Sequence, residues 1–198
     1  MRILLTGFEP FGGEEVNPSW QAVLKAAKKI DFAEISTVCL PVEYYRSVDA
    51  AIKAVNDFCP NAVLLTGQAG GRTCVSFENA AVNIADSDTG DNAGKILHTV
   101  NCQGGPDRLF STLPVKETVD AVNKGGFPSY ISHNAGRFVC NHVFYGVLKY
   151  VSDKKLDIKV GFAHVPFIPA QTVNKPEKPS MSLENIADSL VAALEVLK

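Results

Sequence analysis

The sequence predicts an α/β fold in which a mostly parallel, twisted sheet carries helices on both faces. Short apolar runs of strand length alternate with stretches whose apolar residues recur at helical spacing, and no repeat or linker interrupts them. The run at 62–66 is apolar throughout, as expected for a central strand covered on both faces. With 198 residues, the chain can bury a core without a disulfide or a metal. We therefore expect one domain spanning residues 1–198.

The first half of the chain contains three predicted strands and two predicted helices. The strands lie at 2–6, 35–40 and 62–66, and the second helix lies at 47–58. Asn17 suits the N-cap of the first helix, and Pro18 suits its first position, where a missing N–H costs nothing. Its predicted inward face consists of Trp20, Val23, Leu24 and Ala27.

The second half continues the alternation. A segment of mixed alternation at 75–84 ends in a polar stretch at 86–92, which we interpret as a turn or mobile loop. The other predicted elements are a short helix at 114–124, a strand at 128–132, a helix beginning near residue 139, a strand at 158–162 and a final helix capped by Ser180 or Ser182.

Composition gives no support for nucleic acid or a membrane surface as a partner. The net charge is −2, and no basic cluster with interleaved aromatic residues occurs. The N-terminal segment lacks the apolar core and cleavage site of a signal peptide, and no apolar run approaches transmembrane length. Five cysteines without a CxxC pair argue against a disulfide framework and for a reducing compartment. We expect a cytoplasmic protein.

Cys140 is the strongest candidate for a chemically active residue. It follows the turn at 134–136 and lies next to the first residue of an apolar stripe formed by Val139, Val143, Val147 and Val151. This position places it in the first turn of a helix. Free backbone N–H groups and the positive end of the helix dipole favour a thiolate at such a position. The sequence therefore predicts a nucleophilic sulfur.

A cysteine nucleophile needs a base and usually a group that orients this base. His142 is two residues from Cys140 and points to another side of the helix, whereas His164 comes from a separate strand end and could approach the sulfur. An isolated histidine at a strand end is more often structural, and only the cysteine changes that balance. Glu78 lies among apolar residues, either as a part-buried, paired carboxylate or on the solvent face of a strand.

Two glycine-containing loops, 7–13 and 67–71, follow predicted strands and should converge with Cys140 and His164 on one edge of the sheet. Neither loop fits a P-loop or the full dinucleotide fingerprint, so close backbone approach is favoured over phosphate binding. Phe8 and Phe11 either line a small apolar pocket or pack the first loop. The pair Cys140 and His142 lacks the second ligand pair of a zinc site, so we expect neither metal nor cofactor.

Six stretches carry a resemblance that spans essentially the whole chain: LLTGFEPFGG (4–13), VNPSW (16–20), GQAGGR (67–72), FSTLP (110–114), FVCNH (138–142) and HVP (164–166). They resemble the pyroglutamyl peptidase type I family, also called pyrrolidone-carboxylate peptidases. The resemblance implies a three-layer α/β/α sandwich and a cysteine exopeptidase that removes an N-terminal pyroglutamyl residue from peptides. It also implies a homo-oligomer, a dimer or a tetramer.

The resemblance assigns roles to particular residues. Cys140 matches the nucleophile, His164 the base and Glu78 the acid that orients it. The positions that match the substrate pocket are Phe11 and Phe138, which hold the lactam ring, Phe8 nearby, and Asn17 and Gln68 close to the lactam amide.

Three residues depart from the family pattern: Asn79 replaces Arg or Lys, Asp88 replaces an Arg of the oxyanion site, and Asn134 replaces Ser or Thr. Asp88 would oppose a developing negative charge if its loop kept the family shape. Because the three catalytic residue types are retained, we expect peptidase activity. The alternatives are a relative that binds lactam-capped peptides without efficient turnover, and a nucleotide-binding enzyme, which fold analogy alone supports.

Overall fold

A computed structural model describes all residues from 1 to 198, and it contains ten strands and six helices. The strands are β1 (Arg2–Phe8), β2 (Glu34–Leu40), β3 (Ala62–Gln68), β4 (Val75–Glu78), β5 (Ala80–Val82), β6 (Ala85–Ser87), β7 (Leu97–Thr99), β8 (Arg108–Phe110), β9 (Ser129–Ser132) and β10 (Lys159–Val165). The helices are α1 (Pro18–Lys29), α2 (Arg46–Phe58), α3 (Val115–Lys124), α4 (Val139–Asp153), α5 (Pro169–Thr172) and α6 (Leu183–Glu195).

Six strands form the central sheet in the order β2-β1-β3-β10-β4-β9. The first four are parallel, whereas β4 pairs antiparallel with β10 and parallel with β9. Two antiparallel ribbons, β5–β8 and β6–β7, lie outside this sheet. The predicted mostly parallel sheet is therefore confirmed, and the reversed pair at one edge was not predicted.

Helices cover both faces of the sheet and enclose two separate apolar clusters. One cluster joins the sheet to α1, α3 and α6, and the other joins it to α2 and α4. Successive side chains of a strand point to opposite faces, and in β3 Leu64 belongs to the first cluster while Val63 and Leu65 belong to the second. This arrangement is the three-layer α/β/α sandwich.

Local signals position both terminal helices. Asn17 caps α1 by accepting a hydrogen bond from the Ser19 N–H, and Pro18 is the first helical residue, as predicted. Ser182, and not Ser180, caps α6 by accepting from the Asn185 N–H. These caps satisfy N–H groups that have no partner inside the helix.

The predicted inward face of α1 is wrong in part. Val23 is buried, but Leu24 is 39% exposed. The buried face of α1 uses small residues because the helix backbone approaches β1 closely: a Cβ at Gly7 would lie 2.5 Å from the Cα of Trp20. No helix in the structure is both long and apolar enough to cross a membrane.

Three strands continue beyond their predicted C-terminal ends. The strands β1 and β3 include Gly7 and Gly67, and β10 includes His164, residues that we expected just beyond the strand ends. Pairing continues through them, because Gly67 lies opposite His164 in the register of β3 and β10. The polar stretch at 86–92 is also more ordered than expected, since its first two residues pair in β6 and Asp91 is buried against the Tyr44 N–H.

Candidate active site

Cys140 is the second residue of α4 and lies directly over strand β3. Helix α4 begins at Val139, so the Cys140 N–H has no partner within the helix. A Cβ built at Gly67 would be 2.7 Å from the Cys140 sulfur. Glycine at position 67 therefore provides the space that the thiol occupies.

His164 lies on the same face of the sheet as this sulfur. Phe162, two residues earlier in β10, packs against Phe144 of α4 with ring centroids 5.6 Å apart. Alternate residues of a strand share a face, so His164 also faces α4, and it is the register partner of Gly67. Neighbouring strands are about 4.8 Å apart, so the imidazole of β10 lies beside the position over β3 that the α4 thiol occupies.

Glu78 forms a hydrogen bond with the Nδ1 atom of the His164 imidazole. Its Oε1 is 2.7 Å from His164 Nδ1, and the carboxylate is fully buried. Of the two readings open from sequence, the buried, paired carboxylate is the observed one. Because Nδ1 donates to Glu78, the unprotonated Nε2 of a neutral His164 is free to accept a proton.

Arg72 is a member of this group that the sequence reasoning missed. Its Nη1 donates to the same Glu78 oxygen at 2.8 Å, and its Nη2 donates to the Asn134 carbonyl at 3.1 Å. Arg72 lies in the GQAGGR stretch, but its contact with Glu78, six residues further along the chain, is one that no local sequence pattern predicts. It neutralises the buried carboxylate.

The ionisation states follow from burial and from these pairs. Burial alone would raise the pKa of Glu78, but the hydrogen bond and charge of His164, with the charge of Arg72, hold that pKa below its ordinary value. Burial lowers the pKa of His164. Cys140 keeps part of its surface accessible, yet burial of its sulfur and the nearby Glu78 charge raise the pKa of the thiol to about 12.

Both shifts favour a neutral thiol and a neutral imidazole over an ion pair in the unliganded site. This differs from our expectation of a thiolate at the helix N-terminus. The Cys140 backbone N–H does lower the pKa of the thiol, but loss of water around the sulfur outweighs that effect.

A small cavity opens beside Cys140. It has about 220 Å³ of empty space and is lined by Phe8, Phe11, Asn17, Val42, Gln68, Phe138, Val139 and Cys140. All five residues predicted for the substrate pocket are among them, and the two valines were not predicted. The rings of Phe11 and Phe138 lie 6.4 Å apart at an interplanar angle of 35°. No charged side chain lines this cavity.

The two amide residues of the cavity lining form different hydrogen bonds. Asn17 accepts from the N–H and the hydroxyl of Ser19 and donates to the Glu9 carbonyl, so it mainly holds α1 against the preceding loop. Gln68 accepts through Oε1 from Gln171.

His142 has a structural role. Its Nε2 accepts from the Tyr45 N–H, and its Nδ1 lies 2.8 Å from Asn101 Oδ1. Burial lowers the pKa of His142 to about 4, which keeps the ring neutral and able to accept at Nε2. It is not in the group formed by Cys140 and His164.

The three departures from the family pattern lie outside the cavity lining. Asp88 is fully exposed, and its Oδ1 is 3.6 Å from His98 Nε2. Asn134 closes its turn by accepting from the Gly136 N–H, and the backbone of Asn79 bonds to Ser132 and Ser111. An exposed carboxylate in water is strongly screened, so Asp88 has little influence on charge developing at Cys140.

A sulfur beside an imidazole–carboxylate pair, at an edge of a three-layer α/β/α sandwich, is typical of a cysteine hydrolase. Comparison with known proteins defines the group more closely. The family model described as pyroglutamyl peptidase matches residues 1–198. The chain belongs to the pyroglutamyl peptidase family, which confirms the resemblance stated from the sequence.

Individual relatives are similar over nearly their whole length. Pyrrolidone-carboxylate peptidase 2 of Caldanaerobacter subterraneus is 43% identical over 100% of this chain and 96% of its own. The crystal structure of pyroglutamyl peptidase I from Bacillus amyloliquefaciens has a TM-score of 0.93 and 39% identity, covering 97% of this chain and 94% of that one. A mutant pyrrolidone carboxyl peptidase from Pyrococcus furiosus has a TM-score of 0.94 and 36% identity, covering 99% and 97%.

Proposed function

We propose that this protein is a cysteine exopeptidase that hydrolyses the bond after an N-terminal pyroglutamyl residue. Cys140 is the nucleophile, His164 the general base and acid, and Glu78 the group that orients His164. One observation carries the proposal: the Glu78–His164 hydrogen bond lies on the same sheet face as the Cys140 sulfur, beside an uncharged aromatic cavity.

The cavity suits a pyroglutamyl ring. The ring is flat, uncharged and without a free amine, so it needs apolar walls and few polar contacts. Phe8, Phe11 and Phe138 provide the apolar walls, and the only amide residues in the lining are Asn17 and Gln68. The cavity is too small for more than one residue before the scissile bond, which favours cleavage at the N-terminus of a peptide.

The reaction begins with proton transfer from the neutral Cys140 thiol to the neutral His164 imidazole. As the sulfur attacks the carbonyl carbon, His164 Nε2 takes the thiol proton, and the ionised Glu78 stabilises the imidazolium that forms. The Cys140 N–H donates to the carbonyl oxygen as it becomes negative, an effect of about 3 kcal/mol for one donor. His164 then gives its proton to the departing amine, and water releases pyroglutamate from the acyl-enzyme.

Two further proposals concern the cellular location and the oligomeric state of the protein. All five cysteines are free thiols, which supports a cytoplasmic location. Exposed apolar side chains such as Phe110 and Val173 support assembly into a dimer or tetramer, and light scattering of the purified protein tests this.

Release of a fluorophore from a pyroglutamyl amide tests the activity. We expect turnover by the reduced wild-type protein and a loss of at least about a thousandfold in Cys140→Ser, because the hydroxyl is a far weaker nucleophile in this site. Cys102→Ser, which changes a half-buried thiol outside the cavity, is the matched control and should remain active.

Two results would count against the proposal. Equal turnover by Cys140→Ser would remove Cys140 as nucleophile. A folded wild-type protein that binds a pyroglutamyl peptide in calorimetry but does not cleave it would favour the binding-only alternative.

A further inference from the structure

One oxygen of the Glu78 carboxylate is shared by two side chains. His164 Nδ1 lies 2.7 Å from Glu78 Oε1, and Arg72 Nη1 donates to the same oxygen at 2.8 Å. Arg72 also donates through Nη1 to the Ser76 hydroxyl and through Nη2 to the Asn134 carbonyl at 3.1 Å. His164 has a step in the proposed reaction, whereas Arg72 has none.

The guanidinium of Arg72 joins two parts of the site that lie far apart in the chain. Glu78 is the last residue of β4, and Asn134 lies between β9 and α4, in the turn that leads to Cys140. A guanidinium is planar and its donors have fixed relative positions, so its bonds to Glu78 and Asn134 set the separation of these two acceptors. Arg72 is itself anchored, because its side chain is only 19% exposed and its N–H donates to the Ala69 carbonyl.

The contact with position 134 does not depend on the side chain at that position. Arg72 binds the main-chain carbonyl, and the Asn134 side chain accepts from the Gly136 N–H instead. The Ser132 hydroxyl completes the turn by accepting from the Asn134 N–H at 3.3 Å. The departure from the family pattern at position 134 therefore leaves the Arg72 contact intact.

Arg72 also acts on the charges of the pair. Burial raises the pKa of Glu78, and the hydrogen bond and charge of His164, with the charge of Arg72, bring that pKa below its ordinary value. Burial lowers the pKa of His164, the Glu78 carboxylate raises it, and the positive charge of Arg72 lowers it. Cys140, on α4, is the other ionisable group on which the Glu78 charge acts. Arg72 therefore limits how strongly the shared carboxylate favours an imidazolium.

We propose that Arg72 is a positioning residue: it holds the Glu78 carboxylate against His164 and fixes it to the turn before α4. The inference rests on the proposed function and deepens it, because it adds a residue that acts on the reaction only through other groups. Arg72 does not line the substrate cavity. Its replacement should therefore change kcat and the pH profile, with little effect on KM.

A lysine at position 72 separates the geometry of this residue from its charge. Arg72→Lys keeps a positive charge beside Glu78, but an ammonium lacks the planar fork that holds the carboxylate and the Asn134 carbonyl at a fixed separation. We expect kcat for a pyroglutamyl amide to fall about tenfold, because a displaced base transfers the proton poorly. KM should stay within about twofold, and the acidic limb of kcat/KM should keep its wild-type position. A raised KM with unchanged kcat would show a role in the pocket and overturn the inference.

A glutamine at position 72 removes the charge as well. In Arg72→Gln, kcat should fall further than in Arg72→Lys, and the acidic limb of kcat/KM should move to higher pH, because loss of the cation raises the pKa of His164. Arg137→Gln is the matched control: Arg137 is exposed, follows the same turn and pairs with Asp86, so its loss should leave kcat and the pH profile unchanged. An acidic limb that stays at its wild-type pH in Arg72→Gln would overturn the inference.

A double-mutant cycle tests whether Arg72 acts through the carboxylate. Arg72→Gln should lower kcat more than about tenfold in the wild-type background but less than about twofold in a Glu78→Gln background. Additive effects would show an independent structural role and refute the inference. Thermal unfolding establishes that the compared proteins are folded; if Arg72→Gln does not fold, the kcat and KM of Arg72→Lys decide.

The same assays distinguish this inference from the function on which it rests. If wild-type protein does not cleave pyroglutamyl amides, the proposed function fails and the inference fails with it. If wild-type protein cleaves them and the cycle is additive, the inference fails alone.

Discussion

Replacing Gly67 by alanine should displace the Cys140 sulfur, the proposed nucleophile, while adding no polar or charged group to the site. The new Cβ would lie 2.7 Å from Cys140 Sγ and 3.0 Å from a ring carbon of Phe162. To reach the 3.4 Å of ordinary contact, the sulfur must retreat by about 0.7 Å. A misplacement near 1 Å can cost on the order of a hundredfold in rate, so we expect kcat/KM to fall between about tenfold and a hundredfold.

Gly161→Ala is the control for the stability cost of overpacking. Its Cβ would lie 2.3 Å from Leu113 Cδ1, and Leu113 belongs to the cluster on the opposite face of the sheet. Both variants should lose about 1–3 kcal/mol of unfolding free energy, measured by thermal or urea unfolding. Gly161→Ala should keep kcat/KM within about threefold. If Gly67→Ala is as active as Gly161→Ala, the sulfur does not need the space above position 67, and the reasoning is wrong.

Three other predictions concern charge in the site. Glu78→Gln should lower kcat by at least about a hundredfold, because a neutral amide stabilises the His164 imidazolium poorly. It should also lower the unfolding temperature, because Arg72 loses its carboxylate partner. Retained kcat in steady-state assays would contradict this prediction. Since the pKa of Cys140 is raised to about 12, it should be protonated from pH 6 to 9, and the thiolate absorbance near 240 nm in that range should be equal in wild-type and Cys140→Ala proteins. Since the pKa of His164 is lowered, the acidic limb of kcat/KM should fall below the ordinary histidine value of about 6.5. A thiolate band at pH 7 that Cys140→Ala removes would show a resting ion pair instead.

Features encoded by a few neighbouring residues could be predicted from the sequence. The start of α1 at Asn17 and Pro18 depends on chemistry within one turn, and so does the position of Cys140 at the start of α4. The alternation of strands and helices was enough to place Cys140 and His164 on a common edge.

Features that depend on strand direction or on distant contacts could not be predicted in this way. Strand β4 has four residues and no pattern that distinguishes antiparallel from parallel pairing, yet its reversed direction delivers Glu78 to His164. Arg72 has an ordinary local sequence, and its pairing with a buried carboxylate appears only when the fold brings Glu78 to it. The same is true of the thiol pKa, which depends on how completely water is removed from the sulfur.

The resting protonation state explains why a buried site can use the Glu78–His164 pair. A negative Glu78 disfavours a thiolate at Cys140, but it favours the imidazolium that forms when His164 takes the thiol proton. In the proposed mechanism, charge is therefore created mainly when a carbonyl carbon is present to bond with the sulfur, and the new negative charge moves to an oxygen that faces the free N–H groups of α4. A thiol held neutral in this way reacts slowly with alkylating and oxidising agents, because the thiolate is the form that reacts with them. In the proposed mechanism, the reactivity of Cys140 is therefore coupled to occupation of the cavity by a substrate that carries no charge of its own.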